Sequence, residues 1–143
     1  MEQSNALEMN EAVAAFLFRE SSGNDLGIQA RAAMPSRREG EPTIIPLIVK
    51  IPMDKLTLIP DGNDLTGAFA VFTAFLNDTG VVSRVSRTPQ IFRFPANTLS
   101  KRKALTFKVD IKTLDKLQGI SVGVQDEASR ATGFASIKLG SGS

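Results

Sequence analysis

From Leu26 to Leu139 the apolar residues of this chain recur at every second position, in short runs cut by Gly, Pro, Asn and Asp. Successive side chains of a strand point to opposite faces, so a period of two marks strands with one buried face. Long strand–helix alternation is absent, which disfavours a parallel sheet. The runs predict about seven or eight short strands, with turn signals at the spacing of a sandwich. The expected fold is all-β: an antiparallel β-sandwich, immunoglobulin-like or fibronectin III-like, with one short N-terminal helix.

The individual runs sharpen this. Leu26, Ile28, Ala30 and Ala32 alternate with Gly27, Gln29 and Arg31. Ile45, Leu47, Val49 and Ile51 form one face of a second strand, with Pro46 inside it. Proline lacks the N–H of a central ladder, so an edge position or a bulge is expected there. Pro60-Asp61-Gly62-Asn63-Asp64 is the strongest turn signal. After it, a strand over 65–76 turns Phe69, Val71, Thr73 and Phe75 one way and Ala68, Ala70, Phe72, Ala74 and Leu76 the other. Apolar residues on both sides predict a central strand covered on both faces. Asn77-Asp78-Thr79-Gly80 predicts a hairpin into a strand over 81–87, continued at 91–94. Leu105, Phe107, Val109 and Ile111 alternate with Thr106, Lys108 and Asp110; strands at 120–124 and 134–139 follow. The inner face should therefore use Val49, Ile51, Phe69, Val71, Leu105, Phe107, Val109, Val122 and Val124. Pro46 and Pro89 read as edge protection, and an edge left open could take a partner strand.

Residues 7–18 break the pattern. Met9, Val13, Phe16 and Leu17 fall at i, i+4, i+7 and i+8, one face of a helix. Asn5 or Asn10 can cap it. A helix this short is stable only when docked. The expected organisation is a helix and linker at 1–25 packing on the sandwich, the sandwich at 26–139, and a flexible Gly/Ser tail at 140–143. No run approaches the ~20 apolar residues of a membrane span, and the acidic, polar start does not read as a signal peptide. The chain is expected to be a domain of a longer protein, with its targeting information elsewhere.

The chemistry available is narrow. In 143 residues there is no His, Cys, Trp or Tyr. That removes the imidazole base, the thiol nucleophile and the soft metal ligands. It also removes the rings that favour sugar binding. The net charge is +2, and the Phe residues sit inside strand patterns rather than between basic clusters, so nucleic acid is not an expected partner. Lys101-Arg102-Lys103, with Arg84, Arg87 and Arg93, reads as a solvated loop. Gly119-Ile120-Ser121-Val122-Gly123 matches the G-x-S-x-G elbow. The elbow needs a strand-to-helix turn and a histidine, whereas this segment reads as the middle of a strand. A serine–lysine version would need Lys108 or Lys112 against Ser121. Asp61, Asn63 and Asp64 are oxygen ligands in one loop and form a candidate calcium site, with Asp78, Asp126 and Glu127 as weaker candidates. EF-hand spacing is absent, and the same residues are ordinary turn formers. Asn77-Asp78-Thr79 is a glycosylation sequon.

Two segments carry a family resemblance. VKIPMDKLTLIPDGNDLTGAFAVFTAFLNDTGVVS has the order strand, polar turn, strand, hairpin. RTPQIFRFPANTLSKRKALTFKVDIKTLDKLQGISVGVQDEASRATGFASIKL ends in a Val-Gly-Val-x-Asp-Glu strand, a hairpin and a final strand. Together they resemble the C-terminal region of bacterial secreted proteins related to von Willebrand factor A (VWA). The stretch 11–18 followed by 26–33 resembles the start of that region. The D-x-S-x-S metal site of the VWA domain itself is missing from this chain, so no metal-site residues carry over. The resemblance implies an accessory sandwich of an exported bacterial protein, extracellular or periplasmic.

The expected function is accordingly non-catalytic: a structural or protein-interaction module working with a protein partner or neighbouring domains, without a cofactor. The alternatives are an adhesion module binding calcium or carbohydrate and, more remotely, a serine hydrolase using Ser121.

Overall fold

The computed structural model describes residues 24–139. They form eight strands: β1 (Gln29–Ala32), β2 (Thr43–Pro52), β3 (Ile59–Asp61), β4 (Asp64–Asn77), β5 (Ser86–Pro95), β6 (Ala104–Thr113), β7 (Leu117–Asp126) and β8 (Thr132–Lys138). Short 3₁₀ turns at Met53–Lys55 and Ala96–Lys101 are the helical content of this region. Every strand pair is antiparallel. The strands divide into a three-stranded sheet, β1-β2-β6, and a five-stranded sheet in which β4 pairs with β3, β5 and β7, and β7 with β8. Because β5 overlaps both β3 and β7 along β4, it must hold one edge of β4 while β3 and β7 share the other. The two sheets approach along one side, where β1 lies beside β8.

Between the sheets lies one continuous core. Ile45, Leu47, Val49 and Ile51 of β2 meet Phe69 and Val71 of β4 and Ile120, Val122 and Val124 of β7, all buried. Leu105, Phe107 and Val109 of β6 are partly buried against the same cluster. The inner face read from the alternation is thus the observed one. Full burial of an aliphatic side chain contributes roughly 1.5–3 kcal/mol, which makes this layer the main source of stability. Phe69 is its hub, with ring centroids 4.9 Å from Phe107 and 5.9 Å from Phe92.

β4 is covered on both faces, as its double apolar pattern requires. Its other face carries a second cluster of Ala70, Phe72 and Ala74 with Phe134 of β8.

Three expectations need correction. Pro46 lies in the central strand of the three-stranded sheet, paired with Asp110 of β6 without a bulge. Its carbonyl accepts the Ala33 N–H at 2.8 Å, one residue past the end of β1. The N and C=O of a strand residue face the same side, so the missing N–H points to where pairing with β1 has stopped. The strand expected over 81–87 is reduced to a single bridge, Val82 to Leu76, and β5 runs unbroken over Ser86–Pro95. Pro89 is accommodated there because β5 is an edge strand, as expected of Pro89. Finally, β3 was not anticipated: Asp61 and Asp64 pair across the Gly62-Asn63 turn and so join the sheet. The expected helix at 7–18 and the tail at 140–143 lie outside the described residues.

Candidate functional site

The β3–β4 hairpin presents the proposed calcium ligands. Gly62, at φ +62°, supplies the left-handed conformation of the turn. The backbone carbonyl of Asn63 accepts the Ala96 N–H at 2.9 Å. Asp61 and Asp64 are engaged from β5: Arg93 donates through Nη1 to Asp61 Oδ2 at 2.6 Å and through Nε to Asp64 Oδ2 at 2.7 Å. These bonds, to Asp64 first and Asp61 second, raise the guanidinium above its already high ordinary pKa. The two carboxylates converge, but on an arginine. Asp78 is an exposed residue of the 77–80 turn, away from this hairpin. Among the described residues no group of three or more His, Cys, Asp or Glu is arranged to hold a metal ion.

Asp126 has a different task. Its carboxylate is 1% exposed and accepts N–H groups from Thr57 at 2.7 Å, Ala128 at 2.8 Å and Ser129 at 3.2 Å. Glu127, beside it, pairs with Arg87 at 2.7 Å. The asparagine of the sequon is likewise occupied: Asn77 Oδ1 accepts from Thr79 N at 3.0 Å and Val81 N at 2.9 Å, closing its own turn.

Ser121 sits in mid-strand on β7, fully buried, opposite Ala74 and Ser136. That is the outer face of the five-stranded sheet, because its neighbours Ile120 and Val122 point into the core. Lys108 and Lys112 are exposed on β6, in the other sheet. The structure does not bring either lysine to the serine, and the elbow geometry is absent. The described region is a small all-β domain without an obvious catalytic cluster.

One surface was not anticipated. On the outer face of the three-stranded sheet, register places Arg31, Ile48 and Lys108 in one row and Gln29, Lys50 and Thr106 in the next. Lys112, opposite Ile44, extends the same face. A groove of about 410 Å³ runs here, lined by Gln29, Ala30, Arg31, Ile48, Lys50 and Thr106. Arg31 and Lys108 flank Ile48 one strand away on either side, about 10 Å apart at the backbone. Asp110 is the single carboxylate of the face, 4.0 Å from Lys108. Arg31, Lys50 and Lys112 form no ion pair among the described residues. The result is a concave patch with an aliphatic floor and basic rim, built from three strands. Each cation stands at an outward position of an alternating strand, which the sequence shows; the pairing that assembles them it does not. The chain matches no family model, no curated protein and no solved structure.

Proposed function

We propose that this domain is a non-catalytic protein-interaction module that seats an acidic protein segment on the basic groove of its three-stranded sheet. The observation that carries the reading is the set of exposed cations Arg31, Lys50, Lys108 and Lys112 around Ile48, answered on that face by Asp110 alone. Like charges held on one open face repel each other and attract carboxylates, which steers and orients an acidic partner. Ile48 and the stems of the basic side chains supply apolar contact beneath the charges. The setting we propose is that of the sequence resemblance: an immunoglobulin or fibronectin III-like accessory domain of an exported bacterial VWA-type protein. The antiparallel three-plus-five strand arrangement supports the sandwich part of this reading; the exported, VWA-type setting rests on the sequence resemblance.

The test is a fluorescence-anisotropy titration with a labelled oligoglutamate peptide at low and high salt. Binding should weaken as salt rises. The double charge reversal Lys50→Glu with Lys108→Glu should weaken it by about tenfold or more, whereas Lys55→Glu, on the 3₁₀ turn, should leave it unchanged. Equal binding by the doubly reversed variant would remove the assignment. Tighter binding of a DNA duplex than of the peptide would replace the protein partner with nucleic acid.

A further inference from the structure

The sandwich is open along its β6 side. β6 pairs with β2 over all ten of its residues and, among the described residues, with no strand on its other edge. The Pro46 carbonyl faces β1, so Pro46 and its partner Asp110 exchange no ladder bonds, and Asp110 turns its own N–H and C=O to the open edge. By alternation Thr106, Lys108 and Lys112 do the same. The core is open there too: Leu105, Phe107 and Val109 are partly buried, whereas Leu47, Val49 and Ile51 of β2 are sealed. The five-stranded sheet reaches one strand further. With β1 beside β8 and Phe107 of β6 on Phe69 of β4, β5 has no described strand opposite it. Its inner row, Thr88, Gln90 and Phe92, is likewise only partly buried.

We propose that this gap takes one extended segment of the acidic partner, paired antiparallel with β6 as a fourth strand of its sheet. The proposal rests on the acidic-partner reading of the basic face for the charge of the segment, and adds its conformation. The edge is unguarded. Proline closes an edge by removing a donor; it stands in β5 as Pro89 but not in β6, and β6 pairs with β2 without a bulge. A segment laid here bonds to the β6 groups that face outward, as in strand addition at a sheet edge. Its alternate side chains fall on two faces. Those turned inward cover Phe107, Val109 and Phe92. Those turned outward stand opposite Lys108, Asp110 and Lys112, so carboxylates belong at the two lysines and an uncharged residue between them. A second copy paired edge to edge does not fit: the β5 of each copy would come under the β6 of the other, where β4 already lies.

The probe is a labelled peptide, Val-Glu-Val-Thr-Val-Glu-Val, titrated into the full chain by fluorescence anisotropy. In the antiparallel sense its glutamates face Lys112 and Lys108. The N–H groups of its Glu and Thr residues then point at β6, and those of its valines point away. N-methylation of the Glu and Thr residues keeps every charge and should weaken binding by about tenfold or more. N-methylation of the valines should leave binding unchanged. On the protein, residue-resolved amide exchange should show peptide-induced protection at Thr106, Lys108, Asp110 and Lys112, alternating with Phe107 and Val109, which β2 already protects. Equal effects of the two methylation patterns, or protection without alternation, overturn the strand. If binding is then still lost in Lys50→Glu with Lys108→Glu, the acidic partner stands without the strand; if no peptide binds, both fall. Protection of the same amides without peptide, rising with protein concentration, assigns the edge to a second copy and overturns the proposal.

Discussion

Asp126 shows how a residue's role depends on distant partners. In sequence it stands in a hairpin with Glu127, where a carboxylate reads equally as turn former or ion ligand. In the structure it is buried, and one of its three donors is the Thr57 N–H, 69 positions away. Thr57 belongs to the crossover that leaves β2 of one sheet for β3 of the other, so Asp126 fastens that crossover to the β7–β8 turn. No local pattern announces such a bond. Removing the carboxylate strands three N–H groups, and bonds to a charged acceptor are worth about 1.5–3 kcal/mol each. Asp126→Ala should therefore cost about 3 kcal/mol or more in urea denaturation, and Asp126→Asn less, since the amide oxygen still accepts. A loss below about 0.5 kcal/mol, the range of ordinary surface changes, would show that the staple is dispensable. The turn carboxylates follow the opposite logic. Asp61 and Asp64 are legible as a pair of oxygen ligands, but Arg93, on another strand, holds both. Calorimetric titration with calcium should give no saturable heat. A one-site isotherm abolished by Asp61→Ala or Asp64→Ala would restore the calcium reading.

At the scale of the element, alternation was enough wherever it was strict. β2, β4, β6 and β7 follow directly from the positions of their apolar residues, and β4 announces its two covered faces. β5 was obscured because it is an edge strand with Pro89 in its midst and Ile91, 83% exposed, breaking the pattern. β3 was obscured because it is short and lies inside a turn motif. The β4–β5 pair holds a contact that no single-strand pattern reveals. Gly67 faces Phe92 across the ladder, and the Phe92 ring lies in the space its side chain would occupy. Phe92 in turn stacks on Phe94 at 6.2 Å, and Arg102 lies over Phe94 at 4.8 Å. This is an aromatic ring covering a strand glycine, with a run of stacked groups fixing its position. Gly67→Ala should drive the ring from its place and destabilise by about 1–3 kcal/mol. In the Phe92→Ala background the same change should cost much less, because the ring that clashes is gone. Equal costs in both backgrounds would place the strain in the backbone rather than in the ring.

The molecule as a whole is layered asymmetrically, and its motions should follow the layers. The three-stranded sheet has a buried inner face and a wet basic outer one. β4 and β7, by contrast, are interior strands with both faces buried. Opening a backbone amide in β4 or β7 therefore disturbs two packed layers, whereas β1, four residues long and paired on one side only, can fray alone. Amide exchange reports such local openings from near zero up to the global free energy. The amides of residues 70–74 and 121–124 should exchange slowest, near the limit of global unfolding, and those of β1 and β3 fastest. β2 and β6 should fall between, sharing the core but having water on their other face. Mass-spectrometric exchange on peptides from each strand resolves this. Equal exchange of the β4 and β2 amides would mean that the two sheets open as one unit.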